Sequence, residues 1–169
     1  MLLNEITVRQ ITQNNYTGFP TTKKRQHIVN TVNARDIKFT PYSETNNLKV
    51  ESDTQSSGSD HYDTFIQFDD VQFLEEGGIA FRGTDNQNHH ITPLNARHND
   101  IEVNCECLDF RFRFANYHYN NDSLLGNPPP PYIKKTDRPP VNPKKALGSC
   151  KHVLALVNKL TQLRILRWD

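Results

Sequence analysis

The sequence is poor in cysteine, in apolar residues and in net charge. Three cysteines among 169 residues are an odd number, which excludes a complete disulfide framework and leaves metal binding, catalysis or burial as their uses. Hydrophobic residues make up only 35%, so the core is thin and needs support from a metal, a disulfide or a neighbouring subunit. The formal net charge is +1, which points to no nucleic-acid or membrane partner.

Long hydrophobic runs and catalytic motifs are also missing. The longest apolar run, residues 153–157, is far shorter than the roughly 20 residues that cross a membrane. Residues 1–5 have neither the basic region nor the apolar stretch of a secretory signal. The sequence contains no phosphate-binding glycine loop, no Ser/His/Asp order and no zinc-protease motif. We therefore expect a non-catalytic protein with no small-molecule substrate, made and first used in a reducing cytoplasm.

Residues 1–119 have the pattern of a β-rich domain. Leu48 and Val50 alternate with polar residues, as in a strand with one buried and one solvated face. Glycine-containing turns at residues 75–78 and 83–86 separate further short apolar runs. This spacing predicts a mainly β (α+β) fold, an antiparallel sandwich or open barrel. Strands are predicted in or near residues 28–32, 36–40, 48–52, 62–68, 71–73, 79–82, 91–94, 101–103 and 110–114.

Residues 110–114 alternate strictly between phenylalanine and arginine. In a strand, this period buries three aromatic side chains on one face and exposes two arginines on the other. The functional alternative is base stacking by the aromatic rings with phosphate contacts from the arginines. The balanced net charge favours the structural interpretation.

The chain changes character after Tyr119. Seven of the ten prolines lie between Pro128 and Pro143, so residues 120–148 are predicted to form an extended, polyproline-like insert. Residues 149–169 are predicted to form a C-terminal helix capped by Ser149. Its apolar residues exceed what one buried face needs, which predicts a contact surface for other chains. The buried face holds Val153, Leu156, Val157, Leu160 and Leu163; the surplus consists of Leu154, Ile165, Leu166 and Trp168.

All three cysteines and one histidine fall into two pairs with metal-ligand spacing. Cys105 and Cys107 end the β-rich region, where the period of two puts them on the same side of a strand. Cys150 and His152 open the helix, and both can reach one ion only if Cys150 lies at or before the first turn. Three thiolates and one imidazole make a closed tetrahedral shell, as in structural zinc sites. The alternative is a chance cluster of buried thiols beside a surface histidine.

The order of these residues resembles a known type of zinc-binding segment. A Cys-x-Cys pair, a long insert and Cys-x-His at the start of an apolar helix resemble the SWIM-type zinc finger. Residues 105–110 and the proline-rich approach to Cys150 are similar to a segment of virion structural proteins of tailed bacteriophages. Residues 40–50 and 62–68 also look similar to such proteins, so the resemblance spans roughly residues 36–157. The insert after Cys107 is longer than in cellular SWIM domains.

The resemblance implies a non-catalytic structural component of a bacteriophage virion, in the capsid, neck or tail. One structural zinc ion is expected to join the last strand to the helix in a single structural unit, because metal-binding energy becomes folding energy. The implied partners are other virion proteins and copies of the same chain, in the virion and, during assembly, in the host cytoplasm. The alternative is a SWIM-like nucleic-acid-binding or regulatory protein, which requires clustered basic side chains.

Two further groups are weaker candidates for function. His89, His90 and His98 are residues of a type that binds metal ions. Adjacent residues of a strand point to opposite faces, however, which argues against a second metal site here. Residues 23–25 form a short basic cluster without an aromatic partner, which is typical of a solvated surface loop.

Overall fold

The fold comes from a computed structural model, which describes residues 6–17, 32–55, 60–131, 133, 135–138 and 140–169. Most of the strand predicted at residues 28–32 and the basic residues 23–25 lie outside the described residues. The elements in chain order are α1 (Val8–Thr17), β1 (Asn33–Tyr42), β2 (Asn47–Gln55), β3 (His61–Phe68), β4 (Phe73–Leu74), β5 (Ile79–Arg82), β6 (Asn88–Ile91), β7 (Leu94–Asn95), β8 (Ile101–Cys105), α2 (Leu108–Arg113), α3 (Ala115–Asn120), α4 (Lys151–Gln162) and β9 (Leu166–Arg167).

The largest sheet has the strand order β1-β2-β3-β8, and all its neighbouring strands are antiparallel. Alternate residues of β2, β3 and β8 are buried on one face, because the side-chain period of a strand is two. Across the sheet, these residues form apolar rows at one end and the row Ser52, Thr64 and Cys105 at the other. The sheet therefore places the Cys105 side chain on its buried face, at the more polar end of the core.

Helix α4 lies on this sheet and contacts all four of its strands. Its buried residues include Val153, Leu156, Val157 and Leu160, as the helical spacing predicts. The prediction of a mainly β fold with a C-terminal helix is confirmed. A sandwich or open barrel is not confirmed, because the sheets of the described residues do not close and a helix covers the large sheet. None of the helices that the structure describes is long and apolar enough to cross a membrane.

The chain turns back into the domain after α4. The helix ends at Gln162, earlier than predicted, and Arg164 reverses the chain with a positive φ of 60°. Strand β9 then pairs in parallel with β7. Ile165 and Leu166 are buried within their own chain, so their assignment to a contact surface is wrong. Leu163, which was expected on the buried face, is 49% exposed.

Residues 110–114 belong to helix α2 and the turn that follows it, so the predicted strand is wrong. On a helix, Phe110 and Phe114 are four residues apart and share the buried face. Phe112 lies on the other side and is 47% exposed. The helix begins here because Cys107 caps it: its sulfur accepts a hydrogen bond from the Phe110 N–H at 3.3 Å. Helices α1 and α3 also fall in the region predicted to be β-structure.

The described residues between α3 and α4 contain no helix or strand ladder, in keeping with their proline content. A single parallel bridge joins Leu124 to Val103 of β8. Near the end of the insert, the side chain of Asn142 donates to Arg113 O at 2.9 Å and to Ala146 O at 3.0 Å. These contacts lead the chain back to α4, whose N-cap residue is Cys150.

Candidate metal centre

The four predicted ligands lie together in one buried cluster. Cys105 is the last residue of β8, and Cys107 follows in an extended conformation at the N-cap of α2. Cys150 is the N-cap of α4 in place of the predicted Ser149, and His152 lies in the first turn. Their ligand atoms all lie within 4.8 Å of one another. In the part of the chain that the structure describes, this is the one group of its kind suited to a metal ion.

His152 provides an independent indication that this cluster holds a metal. His152 is 3% exposed, and neither its Nδ1 nor its Nε2 has a hydrogen-bond partner among the described residues. A buried polar group without a partner costs about 1–3 kcal/mol. An ion bound to one ring nitrogen would remove much of that cost. The residues present therefore fit a metal ion.

The pKa values of Cys105 and Cys150 are shifted in opposite directions by their close contact. Hydrogen bonds from the thiols of Cys107 and Cys150 lower the pKa of Cys105 to about 4. Burial raises the pKa of Cys150 well above its ordinary value, and its hydrogen bonds to the other two cysteines add to the rise. One thiolate is thus stabilised by its neighbours. Three thiolates in the same buried space need a compensating positive charge.

Side chains of the large sheet surround the ligands. Thr64 Oγ1 lies 3.6 Å from Cys105 Sγ, and it also contacts Thr54 Oγ1 at 2.9 Å. The ring of Tyr62 packs against the imidazole of His152, with centroids 4.8 Å apart and planes tilted by 55°. Such neighbours fix the orientation of ligands and tune their affinity for a metal.

Side chains that no sequence pattern marks hold the segment before Cys150. Asn15 of α1 contacts both the N–H and the carbonyl of Ser149, at 2.8 and 2.9 Å. His118 of α3 is fully buried and contacts Gly148 O at 2.7 Å. Asn15 and Ser149 are 134 residues apart, so no local pattern could have marked them.

His118 is a buried neutral imidazole in a defined tautomer. Its Nε2 donates to Gly148 O, which can only accept, and its Nδ1 lies 2.7 Å from the hydroxyl of Ser123. The ring stacks on Phe110, with centroids 5.8 Å apart and planes 15° apart. Burial lowers the pKa of His118 to about 4, although the bond to Gly148 opposes this fall.

The depressed pKa of His118 predicts a loss of stability in mild acid. Above about pH 6.5, both the folded and unfolded states hold this imidazole neutral. As the pH falls from 6.5 toward about 4, the unfolded chain binds the proton first, so the free energy of unfolding falls by up to about 3 kcal/mol. Urea unfolding of wild type and His118→Gln across this range measures the effect. The variant should lose less stability between pH 7 and 4, and equal losses would contradict the prediction.

The three histidines considered for a second metal site, His89, His90 and His98, do not converge on one. His89 Nε2 pairs with Asp85 Oδ2 at 2.7 Å, and His90 Nδ1 lies 2.9 Å from Gly77 O. His98 is exposed. Among the described residues, none of these three histidines belongs to a group of three or more side chains that could hold a metal ion.

Comparison with protein-family models, with curated protein sequences and with solved structures found no match for this chain.

Proposed function

We propose that this chain is a non-catalytic structural protein stabilised by one zinc ion on Cys105, Cys107, Cys150 and His152. The observation that supports it most is the buried cluster of four donors, which joins the end of β8 to the start of α4 across the proline-rich insert. A thin core gains folding energy from such a crosslink, since metal binding stabilises only the folded arrangement of the ligands.

Zinc is the proposed ion because of the donor set. Three sulfurs and one imidazole nitrogen match the Cys3His composition of structural zinc sites. Zn–S bonds of about 2.3 Å in a tetrahedron place neighbouring sulfurs roughly 3.8 Å apart. Ligand atoms within 4.8 Å of one another need only a small contraction to reach that geometry. Soft thiolate donors also disfavour magnesium and calcium.

A structural role, rather than a catalytic one, follows from the same donor count. Four protein ligands complete a tetrahedral zinc shell, whereas catalytic zinc keeps one position for water or substrate. All four residues are buried, which is in keeping with a structural rather than a substrate-binding centre. We therefore propose no small-molecule substrate for this centre.

The proposed setting is a bacteriophage virion, with other virion proteins and copies of this chain as partners. Its support is the resemblance of residues 105–110 and of the approach to Cys150 to such proteins. The exposed large apolar side chains of the described residues offer area for contacts between chains: Tyr42, Leu108, Phe112, Tyr119, Ile133, Val141 and Leu163. Leu154 and Trp168 of the predicted contact surface are half-buried, so part of each is exposed in addition to these residues.

Mass spectrometry of gradient-purified virions tests this setting. The chain is expected at a constant ratio to the major capsid protein through successive gradients and a high-salt wash. A host cytoplasmic protein that declines at each step is the control for carry-over. If the chain declines together with that control, the virion assignment is contradicted.

The SWIM-like nucleic-acid-binding alternative rests on one feature. Arg111, Phe112 and Lys135 line the same groove, of about 500 Å³, beside α2. Another of the basic residues of this region, Arg113, is already paired with Asp109 at 2.9 Å, and Lys134 lies outside the described residues. A groove with an exposed ring and two cations could accept a single strand only weakly.

We expect binding of single-stranded DNA that is weaker than about 1 µM and lost near physiological salt, since few phosphates can be neutralised. Fluorescence anisotropy with a labelled oligonucleotide over a salt series measures it, with Arg111→Ala as the matched variant. A salt-resistant submicromolar complex that Arg111→Ala weakens would favour the alternative function.

A further inference from the structure

Three consecutive residues before Cys150 are each bonded by a side chain from a distant helix. The donors come from α1 and α3, and we call the set the carbonyl clamp. It consists of Asn14 Nδ2 to Leu147 O at 3.1 Å, His118 Nε2 to Gly148 O at 2.7 Å and Asn15 Nδ2 to Ser149 O at 2.9 Å.

Asn15 makes the most specific contact of the carbonyl clamp. Its amide donates to Ser149 O, while its Oδ1 accepts from Ser149 N at 2.8 Å. Both backbone groups of the residue next to Cys150 are thus bonded to one planar side chain. This two-point contact fixes the orientation of the Ser149 peptide as well as its position.

Gly148 allows the close approach on which the clamp depends. A Cβ at this position would lie 2.9 Å from Phe114 Cε1 and even closer to Asn15 Oδ1. Residue 148 has no space for a side chain, because α1 and the turn after α2 both pack against this segment. The close packing shows that the path of residues 147–149 is fixed by tertiary contacts.

The two halves of the metal centre differ in what holds them. Cys105 is part of the ladder between β3 and β8, where it pairs with Thr64, and Cys107 caps α2. Cys150 instead follows an insert whose described residues form no ladder, and its side chain makes no capping hydrogen bond. Ordering the backbone costs conformational entropy at every residue. Without the clamp, metal binding would have to meet that cost for the residues before Cys150.

We propose that Asn15 is a positioning residue of the metal centre: it holds Ser149 so that Cys150 and His152 meet Cys105 and Cys107, and it thereby sets metal affinity and the rate of metal release. The proposal rests on the proposed metal-binding function. Neighbours that orient metal ligands typically change affinity by about 10–100-fold when removed. Helix α1, near the start of the sequence, is thus part of the metal centre.

The test uses Co²⁺ as a probe, because its absorption reports tetrahedral thiolate coordination, together with zinc release to an excess of chelator. Asn15→Ala removes both contacts. Asn15→Asp has nearly the same shape and can still accept from Ser149 N, but it cannot donate to Ser149 O. We expect both variants to bind Co²⁺ about 10–100-fold more weakly and to release zinc faster than wild type. A role of Asn15 in packing alone would leave the Asp variant unchanged.

Asn99→Ala is the matched control. Asn99 also bonds backbone from both ends of its amide: it donates to Asp69 O at 2.7 Å and accepts from Asn95 N at 2.7 Å. It precedes the start of β8, whereas Cys105 is at the end of that strand. The control should lower the melting temperature but leave Co²⁺ affinity within about threefold, because general destabilisation does not alter the ligands of a protein that remains folded.

The outcomes separate this inference from the proposed function. Wild-type protein that binds neither Co²⁺ nor zinc would overturn both. Wild-type binding with unchanged affinity and release in Asn15→Asp would overturn the positioning role alone. The same loss of affinity in Asn99→Ala as in Asn15→Ala would also overturn it. If Asn15→Ala does not fold, the nearly isosteric Asp variant decides the question.

Discussion

Replacing Cys107 with serine is expected to reduce bound zinc from about one per chain to well below one and to lower the melting temperature by on the order of 10 °C. A ligand present at about 1,000 times its Kd stabilises the folded state by roughly 4 kcal/mol. For a domain of this size, about 1 kcal/mol corresponds to 2–4 °C. Elemental analysis and thermal unfolding of reduced protein measure both effects.

Cys107→Ser separates the effect of losing the metal from any effect on the start of helix α2. Serine is a favoured N-cap residue, so its hydroxyl can still accept from Phe110 N and keep the helix start intact. A chelator is expected to lower the melting temperature of wild type toward that of the variant and to leave the variant unchanged. Wild-type protein that is free of zinc when freshly purified and reduced would contradict the zinc proposal.

Leu166→Ala is expected to destabilise the protein by about 2–5 kcal/mol, the usual cost of removing a buried leucine side chain. Leu166 is 1% exposed and lies in β9. The backbone around it is fixed on both sides, since Leu94 N donates to Ile165 O at 2.9 Å and Ala96 N to Arg167 O at 2.8 Å. The surrounding structure therefore cannot close the cavity easily. Urea unfolding of the purified chain gives the change in free energy.

Leu163→Ala is the matched control, with the same substitution three residues earlier. Its side chain is 49% exposed, so the free energy of unfolding should change by less than about 0.5 kcal/mol. If Leu163→Ala costs as much as Leu166→Ala, the path of the chain after α4 is not as described. Loss of assembly in Leu163→Ala, with stability unchanged, would support a contact surface at this position.

At the end of the chain, the helical pattern of the sequence predicts a longer helix than the one that forms. Apolar residues continue from Val153 to Trp168 with no proline or glycine to stop them, so the sequence predicts one helix. The structure ends the helix at Gln162, and Trp168 Nε1 then bonds back to Thr161 Oγ1 at 3.0 Å. Strand β9 can form only when β7, at residues 94–95, lies beside it. The pattern of apolar residues along the chain does not reveal this contact, because the two strands are distant in sequence.

The sequence by itself determined the two pairs of metal ligands and the strands of the large sheet. Cys105 and Cys107 are two apart, where an extended chain puts both on one side, and Cys150 and His152 are two apart at a helix start. Alternation in β2 likewise specifies which residues are buried. These are short-range consequences of backbone geometry, so local spacing is sufficient to predict them.

Only the tertiary structure decided the secondary structure of residues 110–114, the burial of Leu166 and the residues that hold Ser149. Phe110 and Phe114 satisfy the periods of both strand and helix, and the cap at Cys107 together with packing against His118 selects the helix. Asn15 gains its role because folding brings α1 against a segment 134 residues away. Such contacts depend on the whole chain being folded, since no property of the separate segments requires them to meet.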